Sequence, residues 1–200
     1  MKGTRHNGRS GKDGVYNPLH NDRRFDPEHS EHIDNERVRQ NIYWDCYQGY
    51  TTMEDRGKEN NFSFSQIELA YYSEHYSDYV INQNKRHEKA RHPDRCKGVE
   101  DILKNKKTCP EESIYQLGTI DEHASVETLV KVFDEFKKEF DERFGSNVHI
   151  IDWSLHMDEA TPHIHERHVF DATNRYGEIE PKQEAALEEL GFELPNPEKK

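Results

Sequence analysis

Residues 147–170 read NVHIIDWSLHMDEATPHIHERHVF, two strand-forming stretches separated by a short polar segment. The first stretch, residues 147–156, is rich in β-branched and aromatic side chains, and the second, residues 163–170, continues that composition. Residues 157–162 contain acidic side chains and a proline, which are typical of turns. The pattern predicts a β-hairpin whose strands lie near the centre of a sheet.

Three histidines stand where the two predicted strands meet the turn. Side chains two residues apart in a strand point to the same side, so His163 and His165 share a face while Ile164 faces the core. If the chain returns antiparallel, His156 supplies a third imidazole. Three neutral imidazoles leave coordination positions of a metal ion open for substrate. The spacing predicts an open metal site, and the alternative is a hydrogen-bonded histidine pair on a sheet face.

Two acidic residues follow the first of these histidines in the turn. Asp158 or Glu159 would accept a hydrogen bond from the far nitrogen of a metal-bound imidazole and so fix its tautomer. The alternative interpretation of both residues is a plain polar turn.

Helical and strand patterns surround the predicted hairpin. Helices are predicted at residues 65–91, 125–144 and 180–190, and a further strand at residues 113–118. Ser125 is a suitable N-cap for the second helix, and Pro181 is expected in the first turn of the last one. Residues 36–50 hold an aromatic cluster for which both strand and helix stay open. Together these elements predict an α+β fold with an antiparallel sheet.

Composition restricts the class of protein. Hydrophobic residues make up 32% of the chain and charged residues 34%, so much of it must be solvated surface. No stretch approaches the roughly 18 apolar residues of a membrane span, and the N-terminus has no apolar signal core. We therefore expect a cytoplasmic protein. Cys46, Cys96 and Cys109 are widely spaced and odd in number, which predicts reduced thiols.

The net charge of −12 argues at first against a nucleic-acid partner. The charge is unevenly distributed, however, because residues 1–24 hold six Lys or Arg against two acids and a second basic cluster covers residues 85–107. Acidic residues concentrate in residues 111–142 and near the C-terminus. The basic clusters predict a DNA-contacting surface, and the alternative is ordinary solvated surface.

The histidine block has a known counterpart. The pattern His156-x-Asp-Glu-x-Thr-Pro-His163-x-His165 resembles the metal motif of the HUH endonucleases, and specifically of the MobV-type plasmid mobilisation relaxases, also called plasmid recombination (Pre) enzymes. The N-terminal pattern His20-Asn21-Asp-Arg23, followed by His32-Ile-Asp34 and by Arg37 to Asn41 and Tyr43, is similar to the first motif of that family. The resemblance covers about residues 15–195 and implies an HUH-type antiparallel sheet flanked by helices.

The resemblance also implies roles for individual residues. It implies that His156, His163 and His165 bind the metal, typically Mn²⁺ or Mg²⁺ in this family, that Glu159 orients a ligand, and that His20 attacks the phosphate. Arg23 would steady phosphate charge, because a guanidinium matches phosphate oxygens. DNA contacts are expected from Asn21, Arg23, Arg24 and Tyr43. The imidazole ligands alone favour zinc or a similar ion.

The nucleophile has competitors. Tyrosine is the commoner nucleophile among HUH enzymes at large, and both Tyr16 and Tyr43 lie near the first motif. The alternative interpretation is that none of the three is a nucleophile: His20 is a surface histidine, and the two tyrosines serve in packing or stacking.

The function implied by the resemblance is a nick in single-stranded DNA at an origin of transfer, made by metal-assisted transesterification through a covalent protein–DNA intermediate. Such a step serves conjugative mobilisation or plasmid recombination.

The expected organisation is a flexible basic arm at residues 1–18, a relaxase domain at 19–195 and a tail at 196–200. Residues 166–170 depart from the family, which often has a Val-Pro pair there, and the expected long helical C-terminal region is missing, which suggests a relaxase domain alone or a truncated product.

Two other functions remain open at this point. A metal-dependent hydrolase would use the same histidines to activate water, with Glu159 as general base, and would leave no covalent adduct. A non-catalytic DNA-binding module for replication or recombination would hold a structural ion and would bind DNA without nicking it.

Overall fold

The computed structural model describes residues 3–8, 18–24, 33–118 and 122–193. In these residues the strands are β1 (Gly3–Gly8), β2 (Ile42–Asp45), β3 (Gly49–Thr52), β4 (Glu111–Leu117), β5 (Val148–His156), β6 (His163–Thr173) and β7 (Ile179–Pro181). The α-helices are α1 (Pro18–Asn21), α2 (Met53–Arg56), α3 (Phe64–Lys89), α4 (Val99–Lys104), α5 (Val126–Phe144) and α6 (Gln183–Glu189), with short 3-10 helices at Val38–Gln40 and Pro93–Arg95.

The seven strands form one antiparallel sheet in the order β1-β4-β6-β5-β2-β3, and β7 pairs with the far end of β6. The hairpin β5–β6 therefore occupies the centre, with β4 beside β6 and β2 beside β5. Its register places His156 opposite His163 and Ser154 opposite His165. The predicted α+β fold with a central histidine-bearing hairpin is confirmed.

One face of the sheet packs against α5. Ser125 caps this helix by accepting a hydrogen bond from the backbone N–H of Thr128, as the sequence predicts. Leu129 and Phe133 are buried against side chains of the central strands, among them Trp153, Leu155 and Ile164. Each such buried side chain contributes about 1.5–3 kcal/mol, so the apolar stripe of α5 is enough to hold it on the sheet.

The opposite face packs against α3. Its capping box joins Ser63 and Gln66, and a row of buried residues including Tyr72 and Tyr76 contacts Ile151 and Val169 of the central strands. This helix covers only part of the face. The end of β5 and the beginning of β6, which carry the three histidines, extend past it toward α1.

Three local predictions differ from the structure. Residues 3–8, expected in a flexible arm, form edge strand β1, because backbone pairing with β4 does not need a hydrophobic repeat. Residues 42–52 form the hairpin β2–β3, which answers the question left open for the aromatic cluster. The last helix begins at Gln183, not Glu180, because Pro181 closes β7. Residues 9–17 and the predicted tail at 196–200 lie outside the described residues.

Cys46 is exposed, and Cys109 is buried. Among the helices in the described ranges, none combines the length and the apolar character that crossing a bilayer requires.

Candidate metal centre

The structure brings the three predicted ligands together. Ring centroids lie 5.4 Å apart for His156 and His163, 4.8 Å for His156 and His165, and 4.7 Å for His163 and His165. The Nε2 atoms of His163 and His165 are 2.9 Å apart. Successive side chains of a strand point to opposite faces of the sheet, and the register pairs His156 with His163. All three rings therefore stand on the same face, the one against which α3 packs.

Each imidazole has one nitrogen bonded to an oxygen that lies away from the other two rings. Nε2 of His156 donates to the carbonyl of Asn21 over 2.9 Å, and Nδ1 of His163 donates to the carbonyl of Thr161 over 2.8 Å. Carbonyl oxygens only accept, so these contacts set the tautomers and leave Nδ1 of His156 and Nε2 of His163 as lone-pair donors.

The third imidazole is positioned by a carboxyl group. Nδ1 of His165 lies 2.5 Å from Oε1 of Glu112 on β4, which leaves Nε2 of His165 facing the other rings. Burial raises the pKa of Glu112 to about 9, because the ionised carboxylate loses its hydration. Such a partner behind a ligating histidine fixes the ring and raises its basicity when a cation binds.

The residues fit a metal ion. Burial lowers the pKa of His156 and of His165 well below the ordinary value for histidine, so both rings are neutral and able to bind a cation. Nδ1 of His156 is buried and has no hydrogen-bond partner among the described residues. A buried polar atom without a partner is costly, and a cation between the three rings would remove that cost.

Glu159 lies beside His156 and His163. Its Oε1 is 3.7 Å from Nδ1 of His156, and its Oε2 is 3.7 Å from Nε2 of His163. These are the nitrogens that do not bond the carbonyls of Asn21 and Thr161, so Glu159 stands on the side of the rings where a metal would bind and is itself a possible oxygen ligand. The expectation that Glu159 or Asp158 accepts from the far nitrogens is wrong, because Asn21, Thr161 and Glu112 occupy those positions.

His20 approaches the cluster from α1. Its ring centroid lies 5.5 Å from that of His156 and 5.3 Å from that of His165, and its Nε2 is 3.6 Å from Oε1 of Glu159. The side chain keeps 42% of its surface exposed. Burial, followed by the charge of Arg23, lowers the pKa of His20, so the ring is unprotonated at neutral pH and able to act as a nucleophile.

Arg23 is buried behind the nucleophile candidate. Its guanidinium binds both carboxylate oxygens of Asp158 at 2.9 Å, Oε1 of Glu159 at 2.6 Å and the backbone carbonyl of His20 at 2.9 Å. The residue has a left-handed backbone with φ of 53°. Burial therefore argues against the predicted phosphate contact of Arg23. The side chain instead joins α1 to the β5–β6 turn and positions His20 and Glu159.

The other residues predicted to contact DNA differ in their exposure to solvent. Arg24 is exposed, whereas the side chains of Asn21 and Tyr43 are buried. Burial raises the pKa of Tyr43 to about 12, which together with its inaccessibility argues against both the DNA contact and a nucleophilic role. Tyr16, the other competing nucleophile, lies outside the described residues.

Asp158 holds the turn between β5 and β6 in place through several hydrogen bonds. Besides Arg23, it accepts a hydrogen bond from Nδ2 of Asn41 at 2.8 Å, and its backbone carbonyl accepts from the N–H of Asp34. Oδ1 of Asn41 in turn accepts from the N–H of Met157 at 2.7 Å. Three separate parts of the N-terminal motif thus hold the histidine hairpin, and this structural role of Asn41 was not assigned from the sequence.

Asp158→Ala is expected to lower the free energy of unfolding by about 3–5 kcal/mol, because it leaves the guanidinium of Arg23 buried without its main partner. Urea denaturation followed by circular dichroism measures this loss. Asp141→Ala is the control, since Asp141 pairs with Lys137 on the exposed side of α5 and such pairs contribute little. Equal stability losses in the two variants would contradict the assigned role of Asp158.

Glu112→Gln is expected to weaken divalent metal binding by about tenfold, because the amide keeps the shape but, unlike the carboxyl group, cannot ionise when a cation binds to His165. Isothermal titration with Mn²⁺ measures the change, and Glu127→Gln on the exposed surface of α5 is the control. An unaltered affinity in Glu112→Gln would show that the contact with His165 is structural only.

Comparisons with known proteins agree with this geometry. The sequence model of the plasmid recombination enzyme family (Mob_Pre) matches residues 66–176, which is more than half of the chain and includes the histidine block. No curated protein gives a significant match.

Crystal structures of the MobM relaxase domain (MOBV; Mob_Pre), bound to plasmid pMV158 oriT DNA and to Mn, have a similar fold. One, with a 3′-thiophosphate at pH 6.8, has a TM-score of 0.52 and 20% identity, covering 100% of this chain and 94% of that one. A second, at pH 5.5, has a TM-score of 0.50 and 21% identity over the same shares. At these identities the likeness shows the fold alone. The family match supplies the classification: the chain belongs to the plasmid recombination enzyme family.

Proposed function

We propose that this protein is a DNA relaxase that nicks one strand at the origin of transfer of a plasmid or mobile element. The observation that carries the proposal is the position of His20, whose neutral and half-exposed ring stands beside the cluster of imidazoles formed by His156, His163 and His165. A nucleophile next to an open metal site is what phosphodiester transesterification requires. Family membership and the DNA-bound MobM structures support the same reaction.

His20 supplies the nucleophile, and Arg23 holds it in position. A ring nitrogen of His20 attacks the scissile phosphorus, a P–N bond forms, and the P–O bond to the departing strand breaks. The covalent phosphoramidate keeps the phosphodiester energy, so reversal can rejoin the strand without a nucleotide cofactor. Arg23 fixes the carbonyl of His20 and thereby the position of α1 over the site. A divalent cation, when bound, polarises the scissile phosphate as a Lewis acid.

We propose Mn²⁺ as the ion, with Mg²⁺ as the other candidate. His156, His163 and His165, whose rings lie within 5.4 Å of one another, would hold it, and Glu159 offers an oxygen ligand beside His156 and His163. Mn²⁺ and Mg²⁺ both prefer oxygen ligands, whereas imidazole suits zinc and similar ions, so the donor set does not by itself separate Mn²⁺ from Mg²⁺. The MobM structures are Mn-bound, which supports this choice.

The test is incubation with supercoiled plasmid that carries the cognate origin, in the presence of Mn²⁺. A relaxase yields open circles with protein attached to one strand end. Open circles without attached protein would instead identify a hydrolase that activates water, and binding without any nick would identify a non-catalytic DNA-binding module. Either outcome would overturn the proposal. We place the reaction in the cytoplasm, where plasmid DNA is found.

Affinity for single-stranded DNA is expected to fall steeply with salt, despite the net charge of −12. Three or more phosphate contacts at about −0.7 each give a slope of about −2 or steeper in log affinity against log salt. Fluorescence anisotropy with a labelled origin oligonucleotide measures the slope. Arg24→Ala should reduce its magnitude by about 0.7, whereas Lys58→Ala, which alters a residue paired with Asp55, is the control. A flat response would exclude phosphate contact as a main source of affinity.

A further inference from the structure

His20 stands about as close to two of the candidate ligands as the most widely separated ligands stand to one another. Its ring lies 5.5 Å from His156 and 5.3 Å from His165, which is comparable to the 5.4 Å of the widest pair of ligands, His156 and His163, although the other two pairs are closer, at 4.8 and 4.7 Å. One nitrogen of each of His20, His156 and His165 falls within 4.8 Å of the others, a set of donors that could hold an ion without His163. The proposed nucleophile is thus built into the donor cluster.

Nearby contacts favour this position of the ring. The guanidinium of Arg23 binds the backbone carbonyl of His20 at 2.9 Å and contacts both ring nitrogens at 3.4 and 3.5 Å. Arg23 is itself held by Asp158 in a fully buried ion pair. The ring is therefore positioned by a buried network, although 42% of its surface is exposed.

We infer that, in the DNA-free protein, His20 is a fourth imidazole ligand of the ion held by His156, His163 and His165. The inference rests on the proposed metal site and adds a resting state to it. A fourth imidazole would leave the ion fewer positions open for substrate, and a closed set of protein ligands is the arrangement of structural and not of catalytic ions. A ring nitrogen of His20 bound to the ion would not be available for attack, so reactivity would appear only when DNA is bound and His20 is released.

Zn²⁺ is the suitable probe, because it prefers four ligands and binds imidazole firmly. X-ray absorption on the Zn²⁺-loaded, DNA-free wild-type protein counts the coordinating imidazoles without any substitution. We expect four in the wild type and three with an added oxygen ligand in His20→Ala. Chelator competition should show affinity for Zn²⁺ lower by about tenfold or more in His20→Ala, on the scale by which supporting contacts alter metal sites. His92→Ala, which removes an exposed histidine before Pro93, is the control.

The outcomes separate this inference from the proposed function. Three imidazoles in the wild type, together with wild-type affinity in His20→Ala, would overturn the inference while leaving the metal site intact, provided that His163→Ala still weakens binding. If neither His163→Ala nor His20→Ala changes the affinity for Zn²⁺, the metal site itself is refuted and the inference with it.

Discussion

His20→Ala is expected to abolish the covalent protein–DNA adduct, with a loss of about 10³-fold or more, because a missing nucleophile cannot be replaced by positioning alone. The adduct is measured as labelled oligonucleotide that migrates with the protein in a denaturing gel. The alanine removes a half-exposed ring at the end of a short helix and leaves no buried polar atom behind, so the fold should persist.

Tyrosine variants are the matched controls for this experiment. Tyr43→Phe should retain the adduct, because the hydroxyl is buried between Asn41 and Met53 and is not accessible to DNA. Tyr16→Phe should retain it as well. An adduct that survives His20→Ala and disappears in Tyr16→Phe would transfer the nucleophilic role to Tyr16 and refute the assignment to His20.

The central hairpin and its histidines could be predicted from sequence because both depend on local rules. Strand alternation places His163 and His165 on one face whatever surrounds them, and a short turn brings His156 opposite. The stripe of α5 follows from the same kind of reasoning with a helical period. The spacing of apolar residues shows which side of a strand or helix is buried. That information is enough to place functional residues that lie on strands of the central sheet.

The partners of the far nitrogens could not be predicted, because two of them are backbone carbonyls, which every residue possesses. Only the path of the chain distinguishes Asn21 and Thr161. Glu112 has a carboxyl group but lies 53 residues before His165 in the sequence, and the pairing of β4 with β6 is what joins them. A signal was available in retrospect, since Glu112 stands immediately before the predicted strand at residues 113–118, and a carboxyl group in a buried sheet needs a partner.

Arg23 shows why residue type alone misleads. A guanidinium near a nucleophile suggests phosphate binding, and the same chemistry favours a buried carboxylate equally well. Asp158 is fully buried and must be paired, so the guanidinium is taken up inside the protein. The strand β1 is a similar case, because its residues are polar and glycine-containing and its order comes from pairing with β4.

His163→Ala is expected to lower Mn²⁺-dependent nicking by at least about 10²–10³-fold, the loss that follows removal of one preorganised electrostatic contact to a transition state. His163 is the most accessible of the three ligands, with 13% of its side chain exposed against 7% for His165 and none for His156. Its replacement therefore disturbs packing least, and the loss reports on metal binding more than on folding. The rate is measured as conversion of supercoiled plasmid to open circles.

Chelation of the wild-type protein with EDTA should match the activity of His163→Ala, and added Mn²⁺ should restore only the wild type. His92→Ala, an exposed histidine outside the cluster, should nick at the wild-type rate. Full activity of His163→Ala without metal would mean that the imidazoles act by hydrogen bonding to the phosphate. The free nitrogens of His156 and His163 argue against that possibility, because their other nitrogens already donate to carbonyls and neutral rings then have only lone pairs to offer. A phosphate oxygen also offers only lone pairs, so these two rings would contact a phosphate through a cation and not directly.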